Sequence, residues 1–291
     1  MKKVLVIILI IFLNSCSSYK VNNQLFEADE KICLVLSVGS EKGIAHFGAI
    51  DALKELNIDI KYIYGNSAGS LVGGMYAFNP NVNFETDSKK IINTYFNKTK
   101  KEKVNNTIFN TLFSMILTGG VLGWENLFFG GLSYANVKKI DFDRFHQVID
   151  EYFNYSDIDD TKILFATSYM DINKGIVIKN NGSLASAISK SCNNPFIFKE
   201  ISNEFDPAAD RLSVTPIEDA YNHFNPDKII AINVSQSPAY YSEQIKAKIF
   251  EIPIELNEYD LNDKKNQENI KSIYNEYYSK GFNTVMEYFN Q

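Results

Sequence analysis

Ser67, set in Gly65-Asn66-Ser67-Ala68-Gly69, is the residue whose surroundings most clearly suit chemistry. A hydroxyl works as a nucleophile when it stands clear of its own backbone, near a base and near donors for the charge that develops. The G-x-S-x-G spacing serves the first need, because a sharp strand-to-helix turn has no room for β-carbons at its two ends. A β-branched and aromatic run, Ile60 to Tyr64, leads in, and the small apolar run Leu71-Val72-Gly73-Gly74 follows. Ser67 is therefore expected at a strand-to-helix corner, at the positive end of a helix. A turn that happens to hold two glycines is the plainer alternative, and the flanking pattern favours the elbow.

Other groups with chemical potential are spread along the chain. Val38-Gly39-Ser40-Glu41-Lys42-Gly43 is a glycine-bearing loop directly after an apolar run, and its backbone N–H groups could serve as donors. Two carboxylates, Asp206 and Asp210, lie in Phe205 to Pro216, and the three histidines, His46, His146 and His223, are far apart in sequence. There is no C-x-x-C or H-E-x-x-H spacing, so neither a metal nor another cofactor is expected. His46 reads as a packed helix residue and His146 as a surface residue.

The elements that must position these groups follow from periodicity. Ile32 to Ser37 is nearly all apolar, which suits a strand covered on both faces. Ile44 to Leu56 carries Ile44, Phe47, Ile50, Leu53 and Leu56 on one side and reads as an amphipathic helix. Strand, loop, helix and strand make a βαβ unit closed by the Ser67 corner, and this predicts a parallel pair in an α/β fold. Helices are expected at Asn83 to Lys100, Phe142 to Phe153, Leu184 to Ser191 and about Gln267 to Phe289. Strands are expected at Ile163 to Ser168, Ile176 to Ile178 and Lys228 to Val234. Gly281 interrupts the apolar stripe of the last helix, which is expected to cover one edge of the sheet. Ile108 to Phe129 is rich in aromatic and aliphatic residues, but its polar breaks argue against a spanning helix. A lid that dips into a membrane interface and a hairpin packed on the core both fit it.

Lys2-Lys3 followed by the apolar run Val4 to Leu13 has the form of a signal peptide, too short to span a bilayer as a finished helix. Leu13-Asn14-Ser15-Cys16 resembles the lipobox of bacterial lipoproteins. The resemblance implies that Cys16 is acylated after removal of residues 1–15 and anchors the chain to an envelope membrane. With Ser17 following, the outer membrane is the expected destination where the cell has one. Residues 16–31 are polar and read as a tether, leaving 32–291 as one domain with an apolar insertion near 104–131. The formal net charge of −6 argues against a nucleic-acid partner. Cys33 and Cys192 read as buried free thiols, and nothing in the sequence speaks to oligomeric state.

Leu36-Ser37-Val38-Gly39-Ser40-Glu41-Lys42-Gly43-Ile44-Ala45-His46-Phe47-Gly48, with Gly65-Asn66-Ser67-Ala68-Gly69 after it, resembles the opening of patatin-like phospholipases. The resemblance continues through Phe165 to Asp171, Lys174-Gly175, Ala187 to Ser191, Pro195 to Phe198, Pro216-Ile217 and the strand Lys228 to Val234. It implies a three-layer fold with a mainly parallel central sheet and helices on both faces. It further implies that Ser67 is the nucleophile, that Gly39 and Ser40 donate to the oxyanion, and that Lys42 is the loop's basic residue and orients it. The base in such enzymes is an Asp acting without His, from a D-G-G or D-G-A motif that this chain lacks. Counting back six residues from Pro216 selects Asp210, with Asp206 in reserve. Val38 and Ser40 stand where the family usually has Gly. The implied substrate is a phospholipid or lysophospholipid at a membrane surface. Two alternatives stay open: a Ser-His-Asp esterase of α/β-hydrolase type using His223, and a patatin-fold lipoprotein that binds lipid or a partner without turnover.

Overall fold

A computed structural model describes residues 26–27, 29–97, 140–171, 173–193, 198–199, 213–259, 266 and 269–291. The strands are β1 (Ile32–Leu36), β2 (Ile60–Gly65), β3 (Ile140–Asp141), β4 (Leu164–Asp171), β5 (Gly175–Lys179), β6 (Phe198–Lys199), β7 (Lys228–Asn233) and β8 (Ile249–Pro253). The helices are α1 (Ile44–Glu55), α2 (Ala68–Phe78), α3 (Phe84–Asn97), α4 (Phe142–Tyr152), α5 (Leu184–Ser191), α6 (Ile217–Phe224) and α7 (Ile270–Phe289). The main sheet runs β5-β4-β2-β1-β7-β8, and β3 pairs with β6 separately. All pairings in the main sheet are parallel except β4 with β5, a hairpin.

Alternation along the central strands feeds two cores. Leu34, Leu36, Ile63, Phe165, Ile230 and Ile232 face a large cluster that includes side chains of α1, α2, α4, α5 and α7. Cys33, Val35, Tyr64, Ala166, Ile229 and Ala231 face the opposite side, where Ile217 and Ala220 of α6 cover them. Because successive strand side chains point to opposite faces, an unbroken apolar run such as Ile32–Leu36 requires cover on both. Each fully buried Leu or Ile contributes about 1.5–3 kcal/mol, so a sheet sealed on two faces is the rigid base of the molecule. The expected three-layer arrangement with a mainly parallel sheet is what the strands and helices form.

The register gives the site its position. Leu36 at the end of β1 lies beside Gly65 at the end of β2 and beside Ile232 of β7. The loops leaving these three strands therefore emerge side by side at one edge, the place where open α/β sheets bind ligands.

Three local readings differ from the structure. β8 was not expected: Ile249–Pro253 is short and mixed in polarity, and its pairing with β7 makes it a strand. The last helix does not chiefly cover a sheet edge but packs along α1, and only its end reaches β8, with Phe289 6.2 Å from Phe250. That crossing explains Gly281, where an added β-carbon would run into the Ala45 carbonyl, and Gly48 meets Tyr278 and Phe282 backbone in the same way. Packing also begins ahead of Ile32, since the Phe26 ring sits 5.3 Å from Phe250 and 5.8 Å from Phe289. Cys16, the apolar segment near 104–131, Asp206 and Asp210 lie outside the described residues. Among the described residues no helix is long and apolar enough to cross a membrane.

Candidate active site

Ser67 occupies the corner between β2 and α2, with φ 51° and ψ −120°. Such a conformation is uncommon for a residue with a β-carbon, costs roughly 1–3 kcal/mol, and persists only where the surroundings impose it. Those surroundings are visible. The Ser67 N–H donates to Ser191 Oγ at 2.9 Å, at the end of α5. The Ser67 carbonyl accepts from Ser70 N at 2.8 Å, Leu71 N at 3.2 Å and Ser70 Oγ at 2.6 Å. It also accepts from the Cys192 thiol at 3.3 Å, a group that burial keeps protonated by pushing it up to about 12. With the backbone held on both sides, the half-buried side chain is left to chemistry. Among the described residues no group hydrogen-bonds Ser67 Oγ.

The flanking glycines are required by close approach. A β-carbon at Gly65 would collide with the Gly69 carbonyl, and one at Gly69 would collide with the Leu36 carbonyl and lie 2.7 Å from that of Ser37. The elbow is thus pressed against the end of β1, where the glycine-bearing loop begins.

That loop is pinned at its start and free at its tip. Ser37 N donates to Ile232 O at 3.1 Å, Val234 N donates to Ser37 Oγ at 2.9 Å, and Val38 N donates to Val214 O at 2.9 Å. His46 Nε2 lies 3.0 Å from Ser37 O; since a carbonyl only accepts, this nitrogen carries the proton. Gly39 lies against Val234, which an added β-carbon would strike. Ser40, where glycine is usual in this kind of loop, still takes a left-handed conformation at φ 48°, so the backbone path is kept at a cost of about 1–2 kcal/mol. Val38 N–H is taken, whereas among the described residues no acceptor engages N–H of Gly39 or Ser40.

Lys42 is buried, and its Nζ lies 3.0 Å from Glu258 Oε1. The pair fastens the loop to the chain after β8. His223 makes ring contacts with Tyr64 at 6.3 Å and Phe224 at 4.6 Å, and among the described residues no hydrogen bond joins it to Ser67. His46 is fully buried, as a packed helix residue should be. His146, expected on the surface, is half-buried with Nδ1 3.3 Å from Ser189 Oγ, because α4 packs on α5. Cys33 and Cys192 are both free; Cys33 is buried, while Cys192 is only half-buried by its surface.

Sequence reasoning passed over Asn66, Ser168 and Ser191, which brace the elbow from three elements. Nothing local marks them, since their partners are at least 102 residues away in the chain. It also passed over Glu41, a buried carboxyl in the loop whose Oε2 has no hydrogen-bond partner among the described residues. Burial lifts this carboxyl to about 7, while its own backbone N–H and Lys42 pull the other way.

The two buried groups beside the loop act on stability with opposite signs. Glu41 binds its proton more tightly folded than unfolded, so its contribution is full below about 4.5 and lost as pH rises through about 7. Burial lowers His46 to about 4, so its contribution is full above 6.5 and lost as pH falls through about 4. The windows overlap and partly cancel in the wild type. Glu41→Gln isolates one of them: the variant's Tm advantage over the wild type is expected to be larger at pH 8 than at pH 5. The difference corresponds to at most about 3 kcal/mol. An equal shift at both pH values would show that Glu41 ionises as an ordinary carboxylate.

The sequence model described as "Patatin-like phospholipase" matches residues 34–217. This chain belongs to the patatin-like phospholipase family. Among curated relatives, lysophospholipase NTE1 of Lodderomyces elongisporus is 31% identical over 100 residues, 34% of this chain and 6% of that protein. Lysophospholipase NTE1 of Mycosarcoma maydis is 54% identical over 46 residues, 16% of this chain and 2% of that protein. The patatin-like chain thus spans only a small fraction of those relatives' length. Of solved structures, VipD from Legionella pneumophila aligns over 90% of this chain and 67% of its own, with 13% identity and a TM-score of 0.40.

Proposed function

We propose that this patatin-like protein is a lipid acyl hydrolase of phospholipase A or lysophospholipase type, with Ser67 as nucleophile and Asp210 as base. The observation that carries this reading is the backbone of Ser67, held at φ 51° and ψ −120° where β2 turns into α2. A turn that merely contained two glycines would have no cause to strain the serine between them.

In the proposed reaction Ser67 Oγ attacks the ester carbonyl as Asp210 takes its proton. The tetrahedral oxyanion receives hydrogen bonds from Gly39 and Ser40 N–H, which are free of other acceptors among the described residues. Collapse expels the alcohol, protonated by Asp210, and leaves an acyl-enzyme. Water, activated by the same carboxylate, then attacks the ester, releases the fatty acid and restores Ser67. Lys42, through Glu258, holds the loop in place. Membership of the family and relatives named as lysophospholipases support the substrate class.

The deciding experiment supplies phosphatidylcholine vesicles and lysophosphatidylcholine to the purified protein and labels it with a fluorophosphonate. Release of fatty acid together with labelling of Ser67 is the expected result. Lipid binding with neither release nor label would favour a carrier or partner-binding role instead. The lipobox-like Leu13-Asn14-Ser15-Cys16 supports a further proposal, that acylated Cys16 places the enzyme on an envelope membrane, the outer one where present. Cys16→Ser should then leave the membrane fraction, and a variant that stays there with unchanged processing rules this out.

A further inference from the structure

Asn66, next to the nucleophile, has a fully buried side chain that bridges three elements. Its Nδ2 donates to the Ser213 carbonyl at 3.0 Å. Its Oδ1 accepts from Ser168 N at 3.2 Å and from Ser168 Oγ at 2.9 Å, on β4. A backbone carbonyl only accepts and a backbone N–H only donates, so this orientation of the amide is the one that satisfies both neighbours. The Asn66 N–H meets Leu36 O at 3.3 Å, and the residue after Ser213, Val214, accepts from Val38. The elbow, the glycine-bearing loop and the chain entering α6 are therefore locked to one another through Asn66 and Val38.

We infer that Asn66 is a positioning residue for ester hydrolysis, holding the Ser67 elbow and the Ser213–Val214 segment at a set separation. The inference rests on the hydrolase reading above. Neither a hydrophobic residue nor Asp fits the role: the first would leave Ser168 N–H and Ser213 O unpaired, and ionised Asp would supply the acceptor but not the donor. Asp has a further property that makes the inference testable. Ionised, it would repel the Ser213 carbonyl; protonated, it would carry an O–H able to donate to that carbonyl again.

The test measures kcat, KM and Tm for wild type, Asn66→Asp and Ser168→Ala on lysophosphatidylcholine from pH 5 to pH 9. Asn66→Asp is expected to lose roughly a hundredfold in kcat at pH 8 with KM little changed, as misplacement of reacting groups produces. The ratio of its kcat to that of wild type should climb as pH falls and the donor returns. Should Asn66→Asp not fold, Ser168→Ala keeps the donor and one acceptor contact and is expected to lose roughly tenfold in kcat at constant KM. Wild-type kcat in a folded Asn66→Asp, or a kcat ratio flat with pH while only Tm falls, overturns the inference. So does wild-type kcat in Ser168→Ala when Asn66→Asp cannot be made. An inactive wild type would instead remove the hydrolase reading, and the inference with it.

Discussion

Ser67→Ala is expected to abolish fatty-acid release, lowering kcat by roughly 10⁴–10⁶-fold, while the protein still folds. The loss follows from the acyl-enzyme route, which needs an oxygen at this position and has no substitute for it. Two neighbouring hydroxyls are committed to the Ser67 backbone, Ser70 Oγ to its carbonyl at 2.6 Å and Ser191 Oγ to its N–H at 2.9 Å. Folding should survive because the bonds that hold the elbow run to the Ser67 backbone and not to its side chain. Among the described residues no buried group loses a partner with this hydroxyl, so Tm should move by only a few degrees. Full turnover in a folded Ser67→Ala would end both serine-hydrolase readings. Lost activity with a collapsed Tm would report unfolding and not chemistry.

The second large effect concerns the base. Asp210→Asn is expected to lower kcat by about 10³-fold or more, with Asp206→Asn and His223→Ala close to wild type. Proton abstraction requires a carboxylate within about 2.6–3.2 Å of Ser67 Oγ, and an amide of the same shape has no basic site to offer. The choice of Asp210 rests on its distance in sequence from Pro216. The pinning of Ser213 by Asn66 and of Val214 by Val38 supports it, since the chain just beyond that residue is held against the site. His223 stands edge-on to Tyr64 and Phe224, and burial lowers its pKa. Its truncation should cost packing and little turnover. Activity lost in a folded His223→Ala would move the triad reading ahead.

Much of this molecule is legible residue by residue. The unbroken Ile32–Leu36 run implies a strand covered on two faces, the spacing of Phe47, Ile50 and Leu53 implies the helix after it, and Gly65 and Gly69 imply the tight corner between β2 and α2. These signals are local, because strand period, helix period and turn sterics act over a few neighbours. What lies across the fold is silent in sequence. β8 is a strand because β7 offers it an edge. Gly281 is glycine because α7 crosses α1 where the Ala45 carbonyl protrudes. Lys42 is buried because Glu258, 216 residues away, comes to meet it. Asn66 reads as an interchangeable x in G-x-S-x-G until Ser168 and Ser213 arrive on either side of it. The sequence by itself determined the α/β class and placed Ser67 at the corner, since both depend on short-range sterics and on which faces are apolar. Only the tertiary structure decided how that corner is braced, because hydrogen bonds and close backbone approach join residues that no spacing along the chain connects.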